Sequence, residues 1–193
     1  MFSAFNENRT ITETLRDHID RKLSPFGSPE YAYLALRKNN PSDSLIISSY
    51  PGEWLDLYRT NNFQLTDPVV LIASKRTSPF VWDENITLMT DKIFSLSKRY
   101  NIVNGLTFVL HDHLNNLALL SVVIGSRVQG ELEKRISSDL GTMQMLLIDI
   151  NEQMYRLAGS AIPGMQKNNM NTQKPIFTPR EKEVLYWASM GKT

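Results

Sequence analysis

Aromatic and acidic side chains between positions 54 and 67 are the first candidates for chemistry in this sequence. Trp54 and Tyr58 are four residues apart, so a helix would place both on one face. Asp67 precedes Pro68, a pair that predicts a helix N-cap and the first helical residue. Taken singly, such residues more often pack in a core or cap a helix than bind a ligand. A carboxylate can do both, because one oxygen can cap the helix while the other binds.

Catalytic and metal-binding patterns are weak in the rest of the chain. His111 and His113 could share one face of a strand and chelate a metal, but they flank Asp112 where we expect a solvated hairpin tip. The sequence has no cysteine, which excludes disulfides and thiolate metal sites. It also has no Gly-x-Ser-x-Gly nucleophile elbow and no cluster of metal ligands. We therefore predict no catalytic residue, no metal ion and no cofactor.

The bulk composition is that of an ordinary globular protein. Of the 193 residues, 41% are hydrophobic and 21% are charged, which allows one substantial core or one core and a fragment. The formal net charge of +1 argues against a chain that grips nucleic acid strongly by itself. No apolar run is long enough to span a bilayer, and the N-terminus lacks a signal-peptide pattern. We expect a soluble, cytoplasmic protein without membrane contact.

Helix and strand patterns surround the candidate residues. Thr10 and Glu13 form a capping-box pattern at the start of a helix. That helix carries an apolar stripe at four-residue spacing, made of Ile11, Leu15, Ile19 and Leu23. Strands are predicted over 31–36 and 44–49, joined by a turn at 39–43.

The second half of the chain predicts a further hairpin and a long helix. Residues 106–110 and 117–124 form an apolar pair whose second strand is expected to be buried on both faces. A loop over 78–82 would carry two aromatic side chains inward, followed by a helix over 92–100. The spacing of apolar residues predicts a long amphipathic helix over 132–157. The pattern predicts an α/β fold, an α-β-α sandwich with a central antiparallel sheet.

The C-terminal part changes in composition. Gly, Pro, Asn, Gln and Ser dominate up to position 175, which is typical of a flexible linker. Thr178 and Glu181 then form a capping-box pattern, and the apolar face of the following helix has no further element to pack against before the chain stops at Thr193. We expect a folded domain at 1–158, a linker at 159–175, and the truncated start of another domain at 176–193.

The C-terminal tail resembles the start of the helix-turn-helix DNA-binding domain of LuxR-type transcription regulators. The matching positions are Thr178, Arg180, Glu181, Glu183, Val184 and Leu185, followed by Gly191-Lys192-Thr193. The upstream part is similar to the autoinducer-binding domain of the same family, on Trp54, Tyr58, Asp67-Pro68, Trp82 and Gly105. Segments such as IISSYP, NNFQLTDPV and GTMQMLLID resemble the EsaR/ExpR/YenR branch most.

The resemblance implies a binding site for an N-acyl-homoserine lactone. The Trp54 indole would donate to the lactone carbonyl, and the Asp67 carboxylate would accept from the amide N–H. The Tyr58 hydroxyl would donate to the acyl carbonyl, helped by Ser121 and Tyr50. Each carbonyl and the amide need such a partner because an unpaired buried polar group costs roughly 1–3 kcal/mol.

Other side chains would shape the site without hydrogen-bonding the ligand. Trp82 would pack against the lactone ring, or serve only as core. The acyl tail would be contacted by Ile102, Leu106 and Leu119, which are chosen from periodicity. Ser121 could instead bond a neighbouring backbone carbonyl, and Gly105 could be a structural residue at a bulge or a close contact.

The resemblance also implies a role for the whole protein. We expect a quorum-sensing transcription regulator, a homodimer that binds promoter DNA only as the full-length protein and releases it when ligand binds. The alternative is a LuxR-type regulator that senses a different small molecule. A lactone hydrolase is disfavoured because the sequence lacks a metal-ligand cluster and a nucleophile elbow.

Overall fold

The computed structural model describes residues 2–83, 86, 91–124, 138–161 and 178–189. Its centre is a five-stranded antiparallel sheet in the order β2-β1-β5-β4-β3. The strands are β1 (Tyr31–Arg37), β2 (Asn40–Ser48), β3 (Phe80–Val81), β4 (Gly105–His111) and β5 (Asn116–Val123). The helices are α1 (Phe2–Asn6), α2 (Arg9–Leu23), α3 (Gly52–Thr60), α4 (Pro68–Ala73), α5 (Asp91–Ser97), α6 (Leu140–Ala161) and α7 (Pro179–Ser189).

Helices cover both faces of the sheet, so the predicted α-β-α sandwich is confirmed. Alternation along β1 divides its side chains between two cores. Tyr31 and Tyr33 pack with α1, α2 and α6, whereas Leu34 and Leu36 pack with α3, α4 and α5. Every residue of β5 is buried, as predicted for a strand covered on both faces.

The start of α2 differs from the sequence prediction. Asn8, not Thr10, is the N-cap, and its Oδ1 accepts from the Ile11 N–H at 3.2 Å. The predicted capping box is wrong because Asn8 already caps the helix one residue before its first turn, which leaves Glu13 to pair with Arg9. The four residues of the apolar stripe are buried as predicted.

The first hairpin is tighter than predicted. The turn comprises only Lys38 and Asn39, and β2 begins at Asn40, with a register shift after Leu36. The predicted five-residue turn is therefore wrong. Pro41 is accommodated because β2 is an edge strand, where a missing N–H does not break a ladder.

Side chains bind the outward-facing carbonyls of the β2 edge. The donors come from α1, α3 and α2: Asn6 to Ser44 O, Arg59 to Ile46 O, and Arg16 to Ser48 O. These bonds occupy acceptors that another strand could otherwise use. The Arg59 bond also ties α3 to the sheet.

The long C-terminal helix extends past the expected boundary of the first domain. It runs to Ala161, so residues 159–161 are helical, while predicted helical residues 132–137 and linker residues 162–177 lie outside the described residues. The Thr178–Glu181 capping box forms at the start of α7, with bonds of 2.6 and 3.3 Å. Among the helices that the structure describes, none is long and apolar enough to cross a membrane.

Candidate functional site: a cavity between the sheet and three helices

A cavity of about 80 Å³ lies between the sheet and helices α3, α4 and α5. Its lining includes all six predicted ligand-binding residues: Tyr50, Trp54, Tyr58, Asp67, Trp82 and Ser121. The rest of its lining is mainly aliphatic and aromatic, and it includes Ile102 and Leu119. The fold thus brings together the six predicted side chains, which are up to 71 positions apart in the sequence.

Leu106, predicted to contact the acyl tail, does not line this cavity. It belongs to the core on the opposite face of the sheet, together with Phe108. The alternation of β4 explains the error, since Thr107 and Val109 point toward the cavity side and their neighbours point away.

Helix α3 presents an aromatic wall to the cavity. Trp54 is buried, and its ring meets that of Tyr58 edge to face at 5.9 Å between centroids. Phe63 and Tyr100 complete the cluster, with centroids 6.3 and 5.7 Å from Trp54. No sequence pattern indicates Phe63 or Tyr100 as site residues, because their contact with Trp54 depends on the fold.

Asp67 divides its two oxygens between two tasks. Oδ1 accepts from the Val69 N–H at 2.8 Å and caps α4, as predicted for the Asp-Pro pair. Oδ2 accepts from the Tyr58 hydroxyl at 2.8 Å. Burial raises the pKa of Asp67 above its ordinary value, and the bonds from Tyr58 and the first turn of α4 oppose that rise.

Two tyrosine hydroxyls remain protonated in this environment. Burial, followed by the charge of Asp67, raises the pKa of Tyr58 well above its ordinary value. Burial likewise raises the pKa of Tyr50, whose backbone N–H is held by Ser48 Oγ at 3.0 Å. The Tyr50 hydroxyl is buried and has no hydrogen-bond partner among the described residues, so it can both donate to and accept from a bound molecule.

The Trp82 indole packs against β4, where Gly105 leaves room for it. Residues 80 and 81, predicted as loop, form the short strand β3, and both aromatic side chains of this segment are buried as predicted. A Cβ at Gly105 would lie 2.9 Å from the Trp82 ring and 2.8 Å from Val122 O. Gly105 is therefore required for the close approach of the indole to the strand.

A buried hydroxyl pair lies next to Trp82. The Trp82 indole N–H donates to Thr107 Oγ1 at 2.9 Å, and Thr107 Oγ1 is 2.8 Å from Ser121 Oγ. The alternative considered for Ser121, a bond to a neighbouring backbone carbonyl, is not among its described bonds. Thr107 was missed by the sequence analysis, although a single threonine in an apolar strand was a usable signal.

The two candidate metal ligands of the hairpin make other contacts. His111 Nε2 lies 2.9 Å from the carbonyl oxygen of Arg76, and the ring of His113 lies 6.0 Å from that of Tyr155. Within the described part of the chain, no group of three or more potential ligands is placed to hold a metal ion. These contacts give the two histidines a local structural role.

Comparison with known proteins identifies the family. Residues 11–154 match the model of the autoinducer binding domain, and the chain belongs to this family. It is 67% identical to the transcriptional activator protein EsaR of Pantoea stewartii subsp. stewartii, over 100% of this chain and 79% of that protein. The chain is therefore a LuxR-type regulator of the EsaR/ExpR branch, a group of transcription regulators that are not enzymes and bind autoinducers rather than cofactors.

Solved structures support the fold. The crystal structure of Escherichia coli SdiA matches with a TM-score of 0.61 and 20% identity, over 94% of this chain and 73% of that one. CepR2 of Burkholderia cenocepacia, described as an N-acylhomoserine lactone dependent LuxR family factor, matches with a TM-score of 0.52 and 16% identity, over 78% and 93% of the two chains. At these identities the two structures speak for the architecture alone.

Proposed function

We propose that the cavity binds an N-acyl-homoserine lactone. The observation that carries the proposal is the mixed lining, in which Asp67 and four hydroxyl-bearing residues (Tyr50, Tyr58, Ser97 and Ser121) border an otherwise mainly apolar space. An acyl-homoserine lactone needs an acceptor for its amide N–H, donors for its carbonyls and apolar surface for its tail. This lining supplies all three.

Each polar group of the ligand has a proposed partner. Asp67 accepts from the amide N–H, and the Trp54 indole donates to the lactone carbonyl. The acyl carbonyl accepts from Ser121 and Tyr50, with Trp82 packed against the ring. Tyr58 has a single hydroxyl proton, and the bond to Asp67 already uses it, so Tyr58 reaches the acyl carbonyl only if that bond is given up.

The cavity must enlarge to hold such a ligand. Its volume of about 80 Å³ is well below the roughly 300–1,000 Å³ usual for small-molecule sites. Entry of an acyl chain therefore requires the residues that line the cavity to move apart. We propose that this displacement is how binding changes the rest of the protein, because a switch requires different ligand affinities in two arrangements.

We further propose that the full-length protein is a homodimer that binds promoter DNA without ligand and releases it with ligand. Helix α7 would be the first helix of the DNA-binding domain, and α6 would lead toward it. Exposed Met145 and Leu140 on α6 offer apolar surface for a dimer contact. The affinity of the full-length protein for its operator, measured with and without lactone, tests the direction, and tighter binding with lactone would overturn it.

A second candidate ligand class has one specific observation in its favour. SdiA has been solved in complex with octanoyl-rac-glycerol, so a protein of this fold accepts an acyl chain on a headgroup that is not a lactone. Such a ligand has no amide N–H and would leave the Asp67 acceptor without its proposed partner.

A thermal-unfolding panel separates the two classes. Lactones of different chain length and octanoyl-rac-glycerol are compared on the wild-type protein and on Asp67→Ala. We expect a saturable rise in Tm, largest for one lactone and lost in the variant, because a ligand that binds only the folded state stabilises it. No rise with any lactone, or a rise only with the glycerol ester, would overturn the lactone assignment.

A further inference from the structure

Three buried side chains form a hydrogen-bonded chain that ends at the cavity. The chain runs from the Trp82 indole through Thr107 Oγ1 to Ser121 Oγ, with distances of 2.9 and 2.8 Å. Thr107 has no exposed surface and does not line the cavity, whereas Ser121 does. The two hydroxyl residues are opposite partners on β4 and β5, an arrangement in which such side chains bond each other.

The direction of the protons in this chain follows from the donor at its far end. An indole N–H can only donate, so Thr107 Oγ1 accepts from Trp82. If Ser121 also donated to Thr107, the threonine proton would need another acceptor, and no such bond is described for this fully buried group. Donation from Thr107 to Ser121 satisfies both bonds and leaves the Ser121 proton free to point into the cavity.

We propose that Thr107 is a positioning residue that fixes Ser121 as a hydrogen-bond donor toward the ligand. The inference rests on the proposed lactone site and names the residue that sets the polarity of one side of it. The acyl carbonyl, an acceptor, suits a Ser121 that presents its proton. Asp67 presents an acceptor on the other side of the same amide. A ligand that offers a donor at the Ser121 position is disfavoured, because it would leave the Ser121 proton without an acceptor.

A double-mutant cycle on Thr107 and Ser121 tests this mechanism. Dissociation constants for the lactone that stabilises the wild type most are measured for Thr107→Val, Ser121→Ala and the double variant, well below each Tm. Thr107→Ser keeps the hydroxyl and serves as the conservative variant, and Thr77→Val is a matched change at an exposed threonine. The Tm of each variant without ligand reports structural damage separately.

The expected result is a coupled loss. Thr107→Val and Ser121→Ala each weaken binding by about three- to tenfold, the effect of one lost hydrogen bond. The double variant is little weaker than Ser121→Ala, because Thr107 acts only through Ser121. Thr107→Ser and Thr77→Val bind like the wild type.

Other outcomes are distinguishable. If the wild type binds lactone and Thr107→Val binds equally well, the positioning role is wrong and the lactone site stands. If the two losses multiply in the double variant, Thr107 acts independently of Ser121 and the proposal also fails. If the wild type binds no lactone, the proposed function itself fails, and this inference fails with it.

Discussion

The hydroxyl of Tyr58 donates to Oδ2 of Asp67 at 2.8 Å, and this bond joins α3 to the first turn of α4. The same carboxylate caps α4 through its other oxygen. One side chain therefore fixes the relative position of two helices that line the cavity. It does so at a cost, because burial disfavours its charged form.

Asp67→Asn is expected to separate stability from binding. At neutral pH the variant unfolds with a free energy equal to or above that of the wild type, because it removes the buried charge and asparagine is an equally good N-cap. The raised folded-state pKa means that the stabilising contribution of Asp67 is present at low pH and is lost as pH rises through that pKa. The difference between the two proteins therefore narrows as the pH falls through the raised pKa of Asp67.

Denaturant unfolding at several pH values measures this difference. Asp56→Asn, on the exposed face of α3, is the matched control and should show no comparable gain. A large loss of stability in Asp67→Asn at neutral pH, with no narrowing of the difference in acid, would contradict the conclusion that burial disfavours the charged form of Asp67.

Tyr50→Phe removes a buried hydroxyl for which the described part of the chain provides no hydrogen-bond partner. Without ligand the variant should be as stable as the wild type or more stable, by up to about 1–3 kcal/mol, the cost of an unsatisfied group. Lactone affinity should fall by roughly three- to tenfold, because one donor to the ligand is lost. Tyr33→Phe is the contrasting control, since the Tyr33 hydroxyl donates to buried Asn151 at 3.0 Å and its loss should destabilise. A destabilised Tyr50→Phe would show that this hydroxyl has a partner in the folded protein.

Gly105→Ala should displace the Trp82 indole from its position against β4. The new methyl group would lie within 2.9 Å of the indole and 2.8 Å of a backbone oxygen, so we expect a loss of about 1–3 kcal/mol or more. Chemical unfolding followed by tryptophan fluorescence reports both the loss and the altered environment. Gly141→Ala in α6, where a Cβ meets nothing within 4 Å, should be neutral or slightly stabilising. Equal behaviour of the two variants would contradict the packing argument.

Removal of the side chains that cover the β2 edge should promote self-association. The triple variant replaces Asn6, Arg16 and Arg59 by alanine, which frees three outward carbonyls. Light scattering over a range of concentrations should show larger species than for the wild type. The double variant Lys98→Ala/Arg99→Ala, at two exposed positions, controls for the loss of two positive charges. An unchanged size distribution would mean that the edge is protected by other means.

Local signals in the sequence were sufficient for part of the site. The Asp-Pro pair predicted the cap of α4, and the four-residue spacing placed Trp54 and Tyr58 on one helix face. The bond between Tyr58 and Asp67 could not be predicted, because it depends on how α3 and α4 meet. Leu106 was assigned to the wrong face of the sheet. Side chains alternate along β4, and the sequence alone does not show which set of them faces the cavity. Thr107 contacts Trp82, which follows β3, and Ser121 on β5, and these contacts depend on how the strands pair.

The central claim is that Asp67 recognises the amide of a lactone, and isothermal titration tests it most directly. The best lactone of the thermal panel is titrated into the wild type, Asp67→Asn and Asp56→Asn. The account predicts saturable binding to the wild type and to Asp56→Asn, and affinity at least about tenfold weaker in Asp67→Asn, as expected for a lost hydrogen bond to a charged group. Equal affinity in all three proteins would contradict the account.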